Sequence, residues 1–251
     1  MFHKERHDQI VHYVQERGRA SVSELAERFD VTEDCIRKDL KQLDGQGSLE
    51  RVYGGAISVS AAPERSVYKR MNVNTAEKAA IAQKAYEQIR EGETIFLDIS
   101  TTNVILAGLL AKGQKRCIVM SNMIDVLNEL ATNPALTVIC TGGNVNLEAN
   151  GYVGALTVST LERVRFDRAF LGAVGVDLES GEVTTFDVDD GLVKECVIGN
   201  SRKRYLVVDA HKLRSRGNYQ FAQLADFDAV ITDSPSAATR KALKARGTEC
   251  L

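Results

Sequence analysis

Two groups of residues in this sequence have the types and spacing for chemistry with phosphate. The first is Arg37, Lys38 and Lys41, within Ile36-Arg37-Lys38-Asp39-Leu40-Lys41. At about 100° per residue, a helix here puts Ile36, Leu40 and Leu43 on one face and the three cations on the other. Cations presented this way can reach phosphates and guanine edges in a major groove. Asp39, about 150° from the centre of that basic stripe, cannot face the same groove and is expected to bond within its own module. The second group follows strand-like runs: Asp98-Ile99-Ser100-Thr101-Thr102, Ser121-Asn122, Thr141-Gly142-Gly143 and Gly172-Ala173-Val174-Gly175. Small residues at a strand-to-helix turn can surround an anion with backbone N–H groups and the positive end of a helix. The same Ser-Thr-Thr can equally be no more than an N-cap. Lys194, in a helical stretch, and Lys212, in Asp209-Ala210-His211-Lys212, could complete an anion pocket, although each alone also reads as a solvated surface lysine.

The elements that must position the first group come early. Ile10, Val11 and Val14 have helical spacing before Gly18, and Ser21-Val22-Ser23-Glu24 is an S-x-x-E capping box that opens a second helix. Thr32 can N-cap a third helix reaching about Gln46. Residues 48–53 and 56–59 then read as two strands about Gly54-Gly55, with Arg51 and Tyr53 near the turn. Helix, capped helix, tight turn, amphipathic basic helix and hairpin are the parts of a winged helix-turn-helix. Charge alone argues less for DNA, since residues 1–58 carry 9 lysine or arginine against 11 aspartate or glutamate.

Residues 59–75 lack sustained period and read as a linker, with a helix expected over about 75–90. Beyond it, strand-like runs at 94–98, 117–121, 136–140, 168–172, 205–209 and 229–232 are interspersed with helical stretches at 102–111, 123–130 and 236–245. That alternation implies a mostly parallel sheet covered by helices. Ligands of such sheets bind beyond the carboxyl ends of the strands, where the four small-residue loops are expected to gather. The expected organisation is α/β throughout: a winged helix-turn-helix at 1–58, a linker at 59–75 and a larger α/β sensor domain at 76–251.

With 251 residues, 44% of them hydrophobic and 26% charged, the chain can bury one large core or two modest ones, which excludes disorder. Its 32 lysines and arginines nearly balance 34 aspartates and glutamates, so DNA binding has to come from a local patch. Five cysteines without a CxxC pair argue against a disulfide framework and fit a reducing cytoplasm. No apolar run suggests a membrane span. Three of the four histidines lie in the first helix, so neither a metal site nor a cofactor is expected.

Arg6-x-x-x-Ile10, Leu25-Ala26-Glu27-Arg28-Phe29, Ile36-Arg37-Lys38-Asp39-Leu40, Leu43, Gly47, Arg51 and Tyr53-Gly54-Gly55-Ala56 closely resemble the signature of the DeoR-type repressors, glycerol-3-phosphate-repressor-like regulators of bacterial sugar catabolism. The resemblance implies operator contacts from Thr32, Cys35, Arg37, Lys38, Lys41, Arg51 and Tyr53. It also implies a sensor domain similar to sugar-phosphate isomerases that binds a phosphorylated sugar. The effector residues implied are Asp98, Ser100, Thr101, Thr102, Asn122, Gly142, Gly143, Thr184, Lys194 and Lys212, with Thr185 and Asp209 also matching the family pattern. Three positions depart from that pattern: Cys35 replaces threonine, Ser100 replaces glycine, and Glu195 replaces a basic residue.

The expected function is a repressor of a carbohydrate catabolism operon, released from its operator by a phosphorylated sugar and acting as a homodimer or homotetramer. The first alternative is a sugar-phosphate isomerase-like enzyme with an accessory helix-turn-helix, in which Asp98 or Asp187 would be the general base. The second is a scaffold whose helix-turn-helix binds protein.

Overall fold

The computed structural model describes residues 3–45, 48–57 and 65–251, and the chain divides into two compact units, Met1–Ala62 and Pro63–Leu251. In the first unit α1 (His3–Arg17) ends at Gly18, whose φ of +76° suits glycine. Ser21 and Glu24 form the expected capping box of α2 (Val22–Phe29), and α3 (Glu33–Gly45) follows a turn at Asp30. The stripes of these helices meet in one core that includes Ile10, Val14, Leu25, Ile36, Leu40 and Leu43. The hairpin is β2 (Glu50–Val52) and β3 (Gly55–Ile57), and β1 (Arg19–Ser21) adds a third antiparallel strand in the order β1-β3-β2. Three residues are too few to show a strand period in sequence. Gly55 is required by this pairing, because a Cβ there would lie 2.2 Å from the Ala20 carbonyl oxygen.

In the second unit, α4 (Val67–Met71) falls inside the segment expected to be a linker. Val67 is fully buried in the core of this unit, and its N–H donates to the Glu148 carbonyl at 2.8 Å. One buried apolar residue holds the helix in place, and so little burial leaves no periodic signal. After α5 (Thr75–Gln88), the chain alternates through β4 (Thr94–Leu97), α6 (Thr101–Lys112), β5 (Ile118–Ser121), α7 (Ile124–Leu130) and β6 (Thr137–Cys140). An antiparallel ribbon, β7 (Asn144–Asn146) and β8 (Gly151–Val153), precedes α8 (Ala155–Leu161) and β9 (Phe166–Leu171). Next come β10 (Gly175–Val176), β11 (Glu182–Thr185), α9 (Val188–Gly199) and β12 (Ser201–Val207). The chain finishes with β13 (Tyr219–Gln223), β14 (Ala229–Ile231), α10 (Ala237–Ala245) and β15 (Glu249–Cys250).

Among the described residues, seven strands form one sheet in the order β15-β14-β12-β9-β4-β5-β6, and every neighbouring pair is parallel. The chain builds outward from β4 through β5 to β6, then returns to the other side of β4 for β9. The β4/β9 boundary is therefore the topological switch point, where a crevice opens beyond the strand ends. Apolar clusters cover both faces of the sheet, one around Ile95, Leu97 and Leu106 and the other around Phe96, Phe166 and Leu206. β10, β11 and β13 form a separate antiparallel sheet that the sequence reading did not anticipate.

Candidate functional site

In the first unit Thr32 opens α3, its Oγ1 accepting from the Cys35 N–H at 3.3 Å. Arg37 is exposed and held along its own helix by Glu33 at 2.6 Å and Asp34 at 2.8 Å. Lys38 and Lys41 are exposed beside it. Arg51 and Tyr53 belong to the hairpin, Tyr53 standing fully exposed at its tip. Arg37 and Arg51 line one shallow cleft between α3 and the hairpin, so the two elements present cations together.

Cys35 differs from its expected role. Its half-buried Sγ lies 3.3 Å from Arg6 Nη2 and 3.9 Å from Asp39 Oδ2, facing the module interior instead of the basic stripe. The cause is helical spacing, since Cys35 and Asp39 are one turn apart on the same side of α3. Asp39 is buried and accepts from Arg6 Nε at 2.7 Å and Arg6 Nη2 at 3.2 Å, with His7 Nε2 at 3.0 Å. Burial by itself would raise the Asp39 pKa, but the bonds to Arg6 and His7 outweigh it and hold the carboxyl below its ordinary range. Asp39 therefore ties α1 to α3, as the position of its side chain on the helix suggested.

In the second unit a cleft opens at the switch point. Ile99 and Ser100 line it after β4, and Gly172, Ala173 and Val174 after β9. Lys194 enters from α9 and Lys212 from the turn after β12. Ser100 caps α6 by accepting from the Thr102 N–H at 3.3 Å, so the positive end of that helix faces the cavity rim. Ser100 also closes the space beside Gly172, where a Cβ would lie 2.8 Å from the Ser100 hydroxyl oxygen.

Beneath this wall Asp98 is fully buried. It accepts from the Gly172 N–H at 2.9 Å, from Asn103 Nδ2 at 2.7 Å and from the Lys194 ammonium. Lys194 also faces Asp190 at 3.4 Å. Burial alone would lower the Lys194 pKa, but Asp190 and Asp98 together hold it above the ordinary lysine value. Its charge is committed to those carboxylates, which leaves less of it for a bound anion. Lys212 is different: desolvation, the largest influence, lowers its pKa to about 8 against the opposing charge of Asp209. Its ammonium donates to the Ala173 carbonyl at 2.8 Å.

Of the expected effector residues, Ser100, Lys194 and Lys212 line the cavity, while Asp98, Thr101 and Thr102 lie buried behind its wall. Asn122, Gly142, Gly143 and Thr184 do not line it. Asn122 donates to the Tyr152 carbonyl at 3.0 Å and so steadies the β7–β8 ribbon. Gly143 has φ +127°, and a Cβ there would lie 2.0 Å from Thr157 Oγ1, so its glycine serves a close packing contact. Thr184 Oγ1 donates to the Gly175 carbonyl at 3.0 Å, and by strand alternation it is Thr185 that reaches the cavity. Glu195 is exposed, accepts from the Tyr219 hydroxyl at 3.0 Å, and adds no charge to the lining.

Sequence reasoning missed Arg65, Arg70, Asn146, Glu148, Phe186 and Asp190 as lining residues, and treated Asp187 only as a possible base. Arg65 precedes α4 and Arg70 lies within it, in the stretch read as linker. Asp187 caps α9 by accepting from the Asp190 N–H at 2.9 Å, an ordinary structural duty for a carboxylate. No group of histidine, cysteine and carboxylate suited to a metal occurs among the described residues, and no described helix is long and apolar enough to cross a membrane.

A winged helix-turn-helix joined to an α/β unit with a charged cavity at its switch point defines a ligand-responsive DNA-binding regulator. Residues 6–62 match the DeoR-like helix-turn-helix domain and residues 73–234 the DeoR C terminal sensor domain; the chain belongs to the DeoR family of transcriptional regulators and is not an enzyme. It is 34% identical over 231 residues to the glycerol-3-phosphate regulon repressor of Escherichia coli, covering 92% of this chain and 91% of that one. It is 32% identical over 234 residues to the lactose phosphotransferase system repressor of Streptococcus mutans, covering 92% of each. A match to ribose 5-phosphate isomerase A from Methanocaldococcus jannaschii covers 55% of this chain and 54% of that one, at a TM-score of 0.39 and 17% identity.

Proposed function

We propose that this repressor controls a carbohydrate catabolism operon and leaves its operator when a phosphorylated sugar intermediate fills the cavity. The observation that carries this reading is the lining itself. Lys212, Arg65, Arg70 and the Ser100 end of α6 suit a phosphate, while Asn146, Glu148 and Asp187 suit sugar hydroxyls. The Escherichia coli relative is named for a regulon of glycerol 3-phosphate, itself a small phosphate ester, which supports the same ligand class. Operator contacts fall to Thr32, Arg37, Lys38, Lys41, Arg51 and Tyr53. Few cations on one unit make a lone copy a weak DNA binder, so a homodimer or homotetramer reads repeated half-sites.

A thermal-shift screen of phosphorylated sugars against their unphosphorylated counterparts tests the reading. A ligand at 100 times its Kd stabilises the protein by about 2.7 kcal/mol. The expected hit requires the phosphate; equal shifts from the parent sugars would contradict the assignment.

A further inference from the structure

Residues 65–71 form a strap at the start of the second unit, and their backbone is fixed from two sides. The Val67 N–H donates to the Glu148 carbonyl at 2.8 Å, and the Arg70 carbonyl accepts from the buried Lys78 ammonium. The Arg65 guanidinium lies 5.5 Å from the centroid of the Phe186 ring. Anchored in this way, the strap brings Arg65 and Arg70 into the wall that also carries Lys212. Arg65, Arg70, Lys194 and Lys212 share the lining with Glu148, Asp187 and Asp190, and Lys194 is already paired with Asp98 and Asp190. Burial lowers the pKa of both Lys78 and Lys212, and Arg70 lowers each further, with Asp209 opposing. In this partly desolvated place an anion in the cavity favours the charged form of Lys212. An arginine also meets phosphate oxygens with a planar fork that lysine lacks.

In sequence, the strap follows β3 of the DNA-binding unit after residues 58–64. Resting on the sugar-phosphate reading above, we propose that Arg65 and Arg70 are anion-binding residues of the sensor, and that the strap carries the occupancy of the cavity into the chain leading to the DNA-binding unit. The effector's phosphate is then gripped between Lys212 on one side and the strap on the other. Release of DNA depends on a segment that touches the ligand itself.

The test uses the full chain, with inorganic phosphate as the probe and chloride added to keep ionic strength constant. Thermal shift reads binding, and hydrogen–deuterium exchange of residues 66–71 reads the strap. In the wild type, phosphate raises Tm and slows exchange in the strap. The Arg65→Gln/Arg70→Gln protein needs about tenfold more phosphate or higher for half the shift, and its strap exchange no longer responds. Arg65→Gln alone, at an exposed position, shows part of the same loss, and Arg70→Lys keeps more affinity than Arg70→Gln. A wild-type phosphate response in the double variant, with that response lost in Lys212→Gln, overturns the inference and leaves the sugar-phosphate reading intact. Binding that leaves strap exchange unchanged in the wild type overturns the role of the strap. Absence of any phosphate response in the wild type overturns both.

Discussion

Lys212 and Asp39 show how one side chain's surroundings decide what it does. Lys212 sits in a cavity wall where desolvation brings its pKa to about 8, with Arg70 and Lys78 adding repulsion and Asp209 and Asp98 opposing it. A phosphate in the cavity favours the charged ammonium, so ligand binding takes up a proton near pH 8 and weakens as pH rises above it. Phosphate monoesters are largely dianionic only above about pH 6, which sets the lower side of the window. The ligand-induced rise in Tm is therefore expected to be largest between about pH 6 and 8 and to shrink toward pH 9.5. Lys212→Met should give a smaller shift without the fall above pH 8; an unchanged profile would remove Lys212 from the site. Stability of the free protein moves the other way. The folded lysine binds fewer protons than the unfolded one between about 8 and 10.5, so this group's contribution rises with pH there. Asp39 is the opposite case, a carboxyl paired with Arg6 and His7 inside a small module. Asp39→Asn leaves the Arg6 guanidinium buried without its counter-charge, and a loss of about 3 kcal/mol is expected in thermal denaturation of the first unit. Depressed as it is, the Asp39 carboxyl also stabilises this unit above the ordinary carboxylate range and loses that contribution as pH falls through its folded pKa.

At the scale of elements, the proposed DNA contacts fall mainly on α3. Its cations stand on the face opposite Ile36, Leu40 and Leu43, and Arg37 rests on Glu33 and Asp34. Those ion pairs are solvent-exposed, so Arg37→Ala should change stability little. Its effect belongs to DNA binding, where loss of one phosphate contact lowers the slope of log K against log salt by about 1. An unchanged slope in a fluorescence-anisotropy titration would take Arg37 off the DNA. Much of this element pattern was legible in sequence. The capping box at Ser21 and Glu24, the stripe of α3, and the apolar runs that became β4, β5, β9, β12 and β14 depend on local period and buried composition. Other elements left no such trace. β10 has two residues, β1 three, and α4 is held by one buried valine. The candidate cavity was legible only in part, because loops from all the strand ends look alike in sequence. Sheet order decides which of them meet: the loops after β4 and β9 adjoin the switch point, whereas β6 is two strands from β4, roughly 10 Å away at the spacing of paired strands. Gly142 and Gly143, which follow β6, consequently pack on Thr157 instead of meeting the cavity.

For the whole molecule, function requires that the two units share free energy. A sugar phosphate can release DNA only if it binds the DNA-free arrangement more tightly than the DNA-bound one. A coupling of 1–3 kcal/mol, about 5–150-fold, is typical of such regulators and enough to switch an operon. The proposed homodimer or homotetramer belongs to the same account, since paired half-sites would multiply a modest contact made by each copy. The most direct test is the affinity of the full-length protein for an operator selected from random DNA, measured at fixed salt with and without the sugar phosphate found by thermal shift. A fall in affinity within that range, absent with the unphosphorylated sugar, is the predicted result. An operator affinity unchanged at saturating ligand would contradict the account.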